Sequence, residues 1–424
     1  MKFQDLNLIN PILKALEEKN YSQPTPIQAK AIPKVIEGFD LLGVAQTGTG
    51  KTAAFSIPII QHIYKQIQNE KGYTKLRALI LTPTRELAIQ IDENIKEYSR
   101  YTKIYHTVIF GGVKQGRQVQ EINKGVDILI ATPGRLLDLI SQGHISLKEI
   151  EMFVLDEADR MLDMGFIHDI KKLLKMLPYK RQSLFFSATM PPKITALSKE
   201  ILNQPVRVEV TPQSSTAQTI EQVVYFTNRT SKKDLLVHIL KDKAIKQVLV
   251  FTKTKHGADR VVKHLKRKFI KSAAIHGDKA QNQRQNALNA FKSGEIRVLV
   301  ATDIASRGID INKLQYMINF DIPHEPETYV HRIGRTGRAG EEGKAISISE
   351  PEDNIFVKEI ETLIQQKIPV IKEHPYLQTD KPMTEKERKE WNKEKQKRKQ
   401  EFFANRNKNS NSRGGNKNNS KNKK

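Results

Sequence analysis

Ala45-Gln-Thr-Gly-Thr-Gly-Lys-Thr52 restricts the possible folds more than any other segment of this chain. It follows a short apolar run, Leu41–Ala45, and precedes a pattern with helical period. A glycine-rich loop between a buried strand and a helix turns backbone N–H groups toward phosphate oxygens, and the helix N-terminus adds partial positive charge. Gly48 and Gly50 allow the turn, Lys51 would reach the outer phosphates, and the Thr52 hydroxyl suits Mg²⁺. Ala45 stands where the usual pattern begins with glycine.

The rest of the chain supplies the layer such a loop needs. Val/Ile/Leu runs at Leu41–Ala45, Arg77–Thr82, Thr107–Phe110, Asp127–Ala131, Met152–Leu155 and Leu184–Phe186 alternate with helix-length segments. A second series runs Gln222–Phe226, Gln247–Phe251, Ser272–Ile275, Arg297–Ala301, Tyr316–Asn319 and Lys344–Ile348. Short apolar runs spaced in this way predict parallel strands buried on both faces. Leu129-Ile-Ala-Thr132 and Leu299-Val-Ala-Thr302 echo each other, each followed by a loop with an arginine, Arg135 and Arg307. The expectation is an α/β protein of two tandem domains, at 1–210 and 218–365, with a polar linker at 211–217.

Charge points to a polyanionic partner. The 424 residues carry a formal net charge of +24, and residues 381–424 hold 16 Lys/Arg against 5 Asp/Glu. From Asn405 onward the chain is almost all Asn, Lys, Arg, Ser and Gly, so 366–424 is expected to be a basic, largely disordered tail. Trp391 and Phe402–Phe403 lie within it. No apolar run is long enough for a membrane span, and Asp5, Asn7, Asn10, Glu17 and Glu18 break any signal-like stretch. The absence of cysteine excludes disulfides, thiol catalysis and Cys-ligated zinc, and the composition fits a cytoplasmic protein.

Two further segments carry chemistry. Phe153-Val-Leu-Asp-Glu-Ala-Asp159 puts two carboxylates at the C-terminal end of a buried strand, where α/β sheets place ligands. Asp156 can hold Mg²⁺ and Glu157 can polarise an attacking water. His331-Arg-Ile-Gly-Arg-Thr-Gly-Arg338 spaces three arginines for a polyphosphate, and an arginine from another domain can stabilise a transferring phosphoryl group. The second half has no phosphate loop of its own, which suggests a shared site. His62, His106, His144 and His238 lie outside these motifs and read as surface or core residues, and Met161 and Met164 as a helix packing face.

Taken in order, residues 1–365 resemble the DEAD-box ATP-dependent RNA helicases of superfamily two. Phe3 and Tyr21-Ser-Gln-Pro-Thr-Pro-Ile-Gln28 look like the family's Q motif, although Asn20 replaces the usual glycine. The resemblance implies that Gln28 reads adenine, Phe3 and Tyr21 pack near the base, and Gln46, Thr47, Gly48, Thr49, Gly50, Lys51 and Thr52 hold the phosphates. In Pro83-Thr-Arg-Glu-Leu-Ala88, Gly111-Gly112 and Thr132-Pro-Gly-Arg135 it assigns RNA contacts to Arg85, Gly112, Thr132 and Arg135, with Glu86 orienting Arg85 or its loop. Ser187-Ala-Thr189 would couple hydrolysis to RNA by hydrogen bonds to the DEAD segment, Asp159 included.

For the second domain the resemblance implies RNA contacts at Thr254, Arg284 and Thr302, and nucleotide contacts at Gly308 and Asp310. Arg335 and Arg338 match the arginine-finger positions, and His331 opens their motif. The catalytic set is then Lys51, Asp156, Glu157, His331, Arg335 and Arg338, with Thr52 and Asp156 on the metal. The implied architecture is two RecA-like domains, acting as a monomer on RNA with ATP and Mg²⁺, with ribosome-assembly or RNA-decay proteins as the expected partners. Residues 320–327 and the lysine-rich tail resemble the bacterial RhlE-type branch. Three other readings fit the same residues: an ATP-gated RNA clamp, a basic RNA chaperone with a vestigial ATPase, and a DNA helicase.

Overall fold

The computed structural model describes residues 1–46, 48–69, 75–210, 220–303, 314–334, 336, 343–382, 384 and 387. The first sheet comprises β1 (Leu41–Val44), β2 (Ala78–Leu81), β3 (His106–Ile109), β4 (Ile128–Ala131), β5 (Met152–Leu155), β6 (Gln182–Ser187) and β7 (Val206–Glu209). The second comprises β8 (Ile220–Phe226), β9 (Val248–Phe251), β10 (Ser272–Ile275), β11 (Val298–Ala301), β12 (Tyr316–Asn319) and β13 (Gly343–Ser349). Their orders are β3-β4-β2-β5-β6-β1-β7 and β10-β11-β9-β12-β13-β8, and every pairing is parallel.

Strand periodicity builds a core on each face of each sheet. Ala78 and Ile80 of β2 enter one cluster while Leu79 and Leu81 enter the other. In β9, Leu249 and Phe251 face one side and Val248 and Val250 the opposite side. Both faces are therefore apolar, as buried parallel strands require. These are the two RecA-like α/β domains that the sequence suggests. All twelve anticipated strands form. The thirteenth, β7, pairs with β1 at the sheet edge, and its Val-Arg-Val-Glu alternation reflects burial on one face only.

The second domain does not stop at residue 365. Val370 bridges Val224 of β8, the Ile371 amide donates to the Val224 carbonyl, and Ile368 is buried. Ile371 and Tyr376 pack on the core, and Asn228 binds the backbone of Thr379 and Asp380. The expected tail from 366 is thus corrected: its first residues complete the second domain, because widely spaced apolar side chains there find a partner. The linker at 211–217, Trp391 and Phe402–Phe403 lie outside the described residues.

Parallel strands align all their C-terminal ends on one edge of the sheet. The segments after β1, β2, β3, β4, β5 and β6 therefore bring Lys51, Arg85, Gly112, Thr132, Asp156 and Ser187 to a common rim. In the second sheet the same logic places Thr254 after β9, Thr302 after β11 and Asp321 after β12.

Candidate functional site: a nucleotide cleft and an interdomain seam

The loop after β1 turns through Gly48 and Gly50, with φ of 88° and 94°, and Lys51 opens the helix Lys51–Asn69. Such φ values favour glycine. At Gly50 a Cβ would also overlap the Gln28 amide. Lys51 is buried and its Nζ donates to the Ala45 carbonyl at 2.9 Å, while Thr49 Oγ1 donates to Gln46 O at 2.8 Å. Gln28 is 4% exposed. Its Oε1 accepts from the Thr25 amide at 2.9 Å and its Nε2 donates to Gly50 O at 3.1 Å, joining the helix Pro26–Ile36 to the loop. Tyr21 lines this cleft, and buried Phe3 stacks on it from behind with ring centroids 6.4 Å apart.

Across the cleft, Asp156 and Glu157 are both buried. The Glu157 amide donates to Asp156 Oδ1 at 3.0 Å, and Arg160 Nη1 lies 2.6 Å from Glu157 Oε2. Glu157 holds φ 55°, a left-handed conformation that a glutamate adopts only where its surroundings impose it. Burial pushes the Asp156 carboxyl above the usual range; Lys51 opposes this and the Glu157 charge adds to it. The cleft encloses about 960 Å³ and is lined by Gln28, Lys51, Thr52, Asp156 and Glu157, with Lys292 from the second domain. Thr52 and Asp156 offer oxygen alone, a donor set for a hard cation. The described residues hold no cluster of three or more metal-ligating side chains.

Asp159 ties the DEAD segment to the loop after β6. Its Oδ2 accepts from Ala188 N, Thr189 N and Thr189 Oγ1 at 3.1, 2.9 and 3.0 Å. The Asp159 amide donates to Ser187 Oγ, which donates to Thr189 O. Any shift of the segment bearing Glu157 therefore pulls directly on Ser187–Thr189.

On the same rim, Arg85 lies over Gly112, where any side chain would overlap its guanidinium. Thr132 stands at the N-cap position of the helix Pro133–Ser141 without a side-chain capping bond, and Arg135 donates to Gln118 Oε1 and Val113 O, each at 3.2 Å. In the second domain, Thr254 Oγ1 accepts from Gly257 N at 3.0 Å at the start of the helix Lys255–Arg267. Thr302 follows β11, and His331 lies in the last turn of the helix Pro326–Ile333. Thr47, Gly308, Asp310, Arg335 and Arg338 lie outside the described residues.

Two of the anticipated site residues reach across to the other domain. Arg284, read as an RNA contact, is 8% exposed and its Nη2 sits 2.9 Å from Glu86 Oε1 in the other domain. Glu86, read as orienting Arg85 or its loop, also receives Arg284 and Gln281 Nε2, the latter at 3.0 Å, and Gln281 Oε1 accepts from Arg85 Nη1 at 3.3 Å, so Gln281 links Glu86 to Arg85. Arg332 was given no role of its own. It clasps Asp303 with Nε and Nη2 at 2.6 and 2.7 Å, and Nη1 donates to Asn319 Oδ1 and Asp321 O. Thr302-Asp303 beside the arginine motif was the available signal.

Removing one partner of a buried pair is strongly destabilising, by about 3–5 kcal/mol, because a charge stays buried alone. Glu86 can escape that penalty if the domains part and water reaches it. Arg284→Ala should therefore leave the melting temperature nearly unchanged and lower RNA-stimulated ATP turnover about tenfold. Glu86→Gln should add little to it in the double variant. Thermal melts and ATPase assays on the two single variants and the pair check this; additive losses would place the residues in separate roles.

The comparisons with known proteins agree with this geometry. The DEAD/DEAH box helicase family matches residues 25–197, and the helicase conserved C-terminal domain matches 231–340. The chain is 41% identical over 367 residues to the ATP-dependent RNA helicase CshA of Listeria monocytogenes, covering 87% of this chain and 69% of that protein. The chain belongs to the DEAD-box ATP-dependent RNA helicases. This helicase is also 41% identical to the DEAD-box helicase RhpA of Helicobacter pylori over 382 residues, covering 89% of this chain and 76% of that protein. Among solved structures, it resembles Saccharomyces cerevisiae Dbp5 bound to RNA and ADP-BeF3, with a TM-score of 0.76 and 30% identity, covering 87% of this chain and 95% of that one. A DEAD-box protein from Methanococcus jannaschii matches at a TM-score of 0.51 and 39% identity, covering 88% of this chain and 99% of that one. As a member of this family the helicase is an ATP-hydrolysing enzyme that unwinds or remodels RNA.

Proposed function

We propose that ATP binds in the first-domain cleft, that RNA lies along the shared rim of both sheets, and that hydrolysis opens and closes the seam between them. The observation that carries this reading is the run of hydrogen bonds from the DEAD segment through Asp159 to Ser187–Thr189, beside a seam bridged by Glu86 and Arg284. Gln28 reads the adenine edge with the lone pair and N–H its two protein hydrogen bonds leave over. Lys51 moves from the Ala45 carbonyl to the phosphates, and Thr52 with Asp156 would hold Mg²⁺. Bound Mg²⁺ would neutralise charge on the phosphate oxygens. Glu157 orients and deprotonates the attacking water, with Arg160 fixing its carboxylate. Arg335 and Arg338 approach the phosphates when the domains close, with His331 opening their motif, and Gly308 and Asp310 reach the nucleotide from the same side. Arg85, Gly112, Thr132, Arg135, Thr254 and Thr302 meet the sugar–phosphate backbone, so binding depends little on sequence.

The decisive experiment is the ATPase rate without polymer, with single-stranded RNA and with matched DNA. Strong stimulation by RNA alone supports this reading; equal stimulation by DNA contradicts it. The same reading makes the protein a cytoplasmic monomer that works alongside ribosome-assembly or RNA-decay proteins. Described helices include none long and apolar enough to cross a membrane. The RhlE-type character read from residues 320–327 and the tail gains no support from relatives named CshA and RhpA.

The basic segment from 381 acts as an RNA tether. Lysines and arginines bind by neutralising phosphates and releasing counterions, with a slope of log affinity against log salt of about −0.7 per contact on a single strand. Deleting 381–424, with its 16 Lys/Arg, should raise the RNA concentration for half-maximal ATPase and flatten that slope. The rate at saturating RNA should hold, because the catalytic residues all precede Gly340. An unchanged RNA requirement and slope would show that the segment serves solubility alone.

A further inference from the structure

The two sheets share one topology. From the phosphate-loop strand outward, the first runs β1-β6-β5-β2-β4-β3; the second runs β8-β13-β12-β9-β11-β10, the same order by position in the chain. β8 is therefore the counterpart of β1, and the helix Lys232–Ile239 the counterpart of Lys51–Asn69. Each helix opens on a lysine. Lys51 faces Asp156 beyond β5; Lys232 faces Asp321 beyond β12, the strand equivalent to β5.

The second lysine meets carboxylates of its own domain. Lys232 is 3% exposed, with Nζ 3.0 Å from Asp321 Oδ1 and 3.8 Å from both Glu350 Oε2 and Asp353 Oδ2. Burial pushes the Glu350 and Asp353 carboxyls up, and Lys232 opposes it. The connecting loop, Thr227-Asn-Arg-Thr-Ser231, has no glycine, and none of its residues adopts positive φ. A phosphate nest of converging N–H groups is therefore out of its reach. Asn228 of that loop instead holds the backbone of Thr379 and Asp380, both at 2.9 Å.

Asp321 extends the contact to the RNA side. Its Oδ2 accepts from the Lys253 amide at 2.9 Å, next to Thr254. Its carbonyl accepts from Arg332, whose other nitrogens clasp Asp303, next to Thr302. We propose that Lys232 is a converted phosphate lysine: the domain's own carboxylates stand where a nucleotide's phosphates would, and the lysine has become a positioning residue that sets the Lys253–Thr254 loop and, through Arg332, Asp303 for RNA. This rests on the reading of Thr254 and Thr302 as RNA contacts.

The test uses the full chain. Lys232→Met and Asp321→Asn are measured for thermal unfolding, affinity for a fluorescent ATP analogue, and RNA-stimulated ATPase with single-stranded RNA. Asp321→Asn keeps the shape but leaves one oxygen to serve both Lys232 and the Lys253 amide. Both variants should bind the analogue as the parent does, while the RNA concentration for half-maximal ATPase rises about tenfold. Lys232→Arg, which can still engage the carboxylates, should recover part of the loss. Thr254→Ala separates the two layers: if it leaves the RNA requirement unchanged, the RNA reading of this rim fails. If Thr254→Ala raises the requirement while folded Lys232→Met does not, the positioning role is wrong. Should Lys232→Met not fold, Asp321→Asn carries the test, and a parental RNA requirement in it overturns the proposal. Weakened binding of the ATP analogue in either folded variant also overturns it.

Discussion

Glu157→Gln is expected to lower ATP turnover by about 10³-fold, within the range that positioned general bases supply, while ATP still binds. The amide keeps the volume of a side chain buried against Arg160, and the loop around Lys51 is untouched. What is lost is the negative charge that, in the proposed function, draws a proton from water. Lys51→Ala should behave differently. It deletes the Nζ that, in the proposed function, reaches phosphates in ground state and transition state alike, so affinity and rate should fall together. Equilibrium binding of a fluorescent ATP analogue beside RNA-saturated turnover distinguishes the two; equal loss of affinity in both variants would sink the assignment.

Arg338→Ala should cost turnover about 10³-fold, the lower end of the range for arginine fingers, and change ATP affinity only a few-fold. The helix leading into this motif is firmly seated. Tyr329 is buried and its hydroxyl donates to Gln222 Oε1 at 2.8 Å, and Arg332 clasps Asp303 in bidentate fashion. In the proposed function Arg338 meets the transferring phosphoryl group only when the domains close, so the deficit should appear in kcat. Single-turnover hydrolysis at saturating RNA and ATP measures it. A parental rate in Arg338→Ala would move the finger role to another residue.

Elements whose physics is local were legible in the sequence. Central strands such as Ala78–Leu81 and Val248–Phe251 announced themselves because both faces of a parallel sheet are apolar there, so they read as continuous apolar runs. β7 did not, because an edge strand with one buried face leaves Arg207 and Glu209 in solvent. The glycines at 48 and 50 marked a loop by its backbone needs alone. Contacts between domains left no local trace. Nothing in the spacing of Glu86 and Arg284 says that 198 residues later a cation returns to that carboxylate. Lys232 was equally silent, since a converted site keeps the lysine and loses the glycines that make such loops recognisable. Ile368, Ile371 and Tyr376 were hidden by the polar residues around them.

The carboxylate of Glu86 has a consequence for how the two halves respond to ionic strength. It is 3% exposed, and both its partners, Gln281 and Arg284, stand one turn apart on the helix Gln281–Lys292. Mobile ions screen surface charges over about 8 Å at physiological strength but reach a buried pair far less. Added salt should thus strip RNA from lysine-rich surface while the latch between the domains keeps its grip, so a salt titration can separate capture of the polymer from closure upon it.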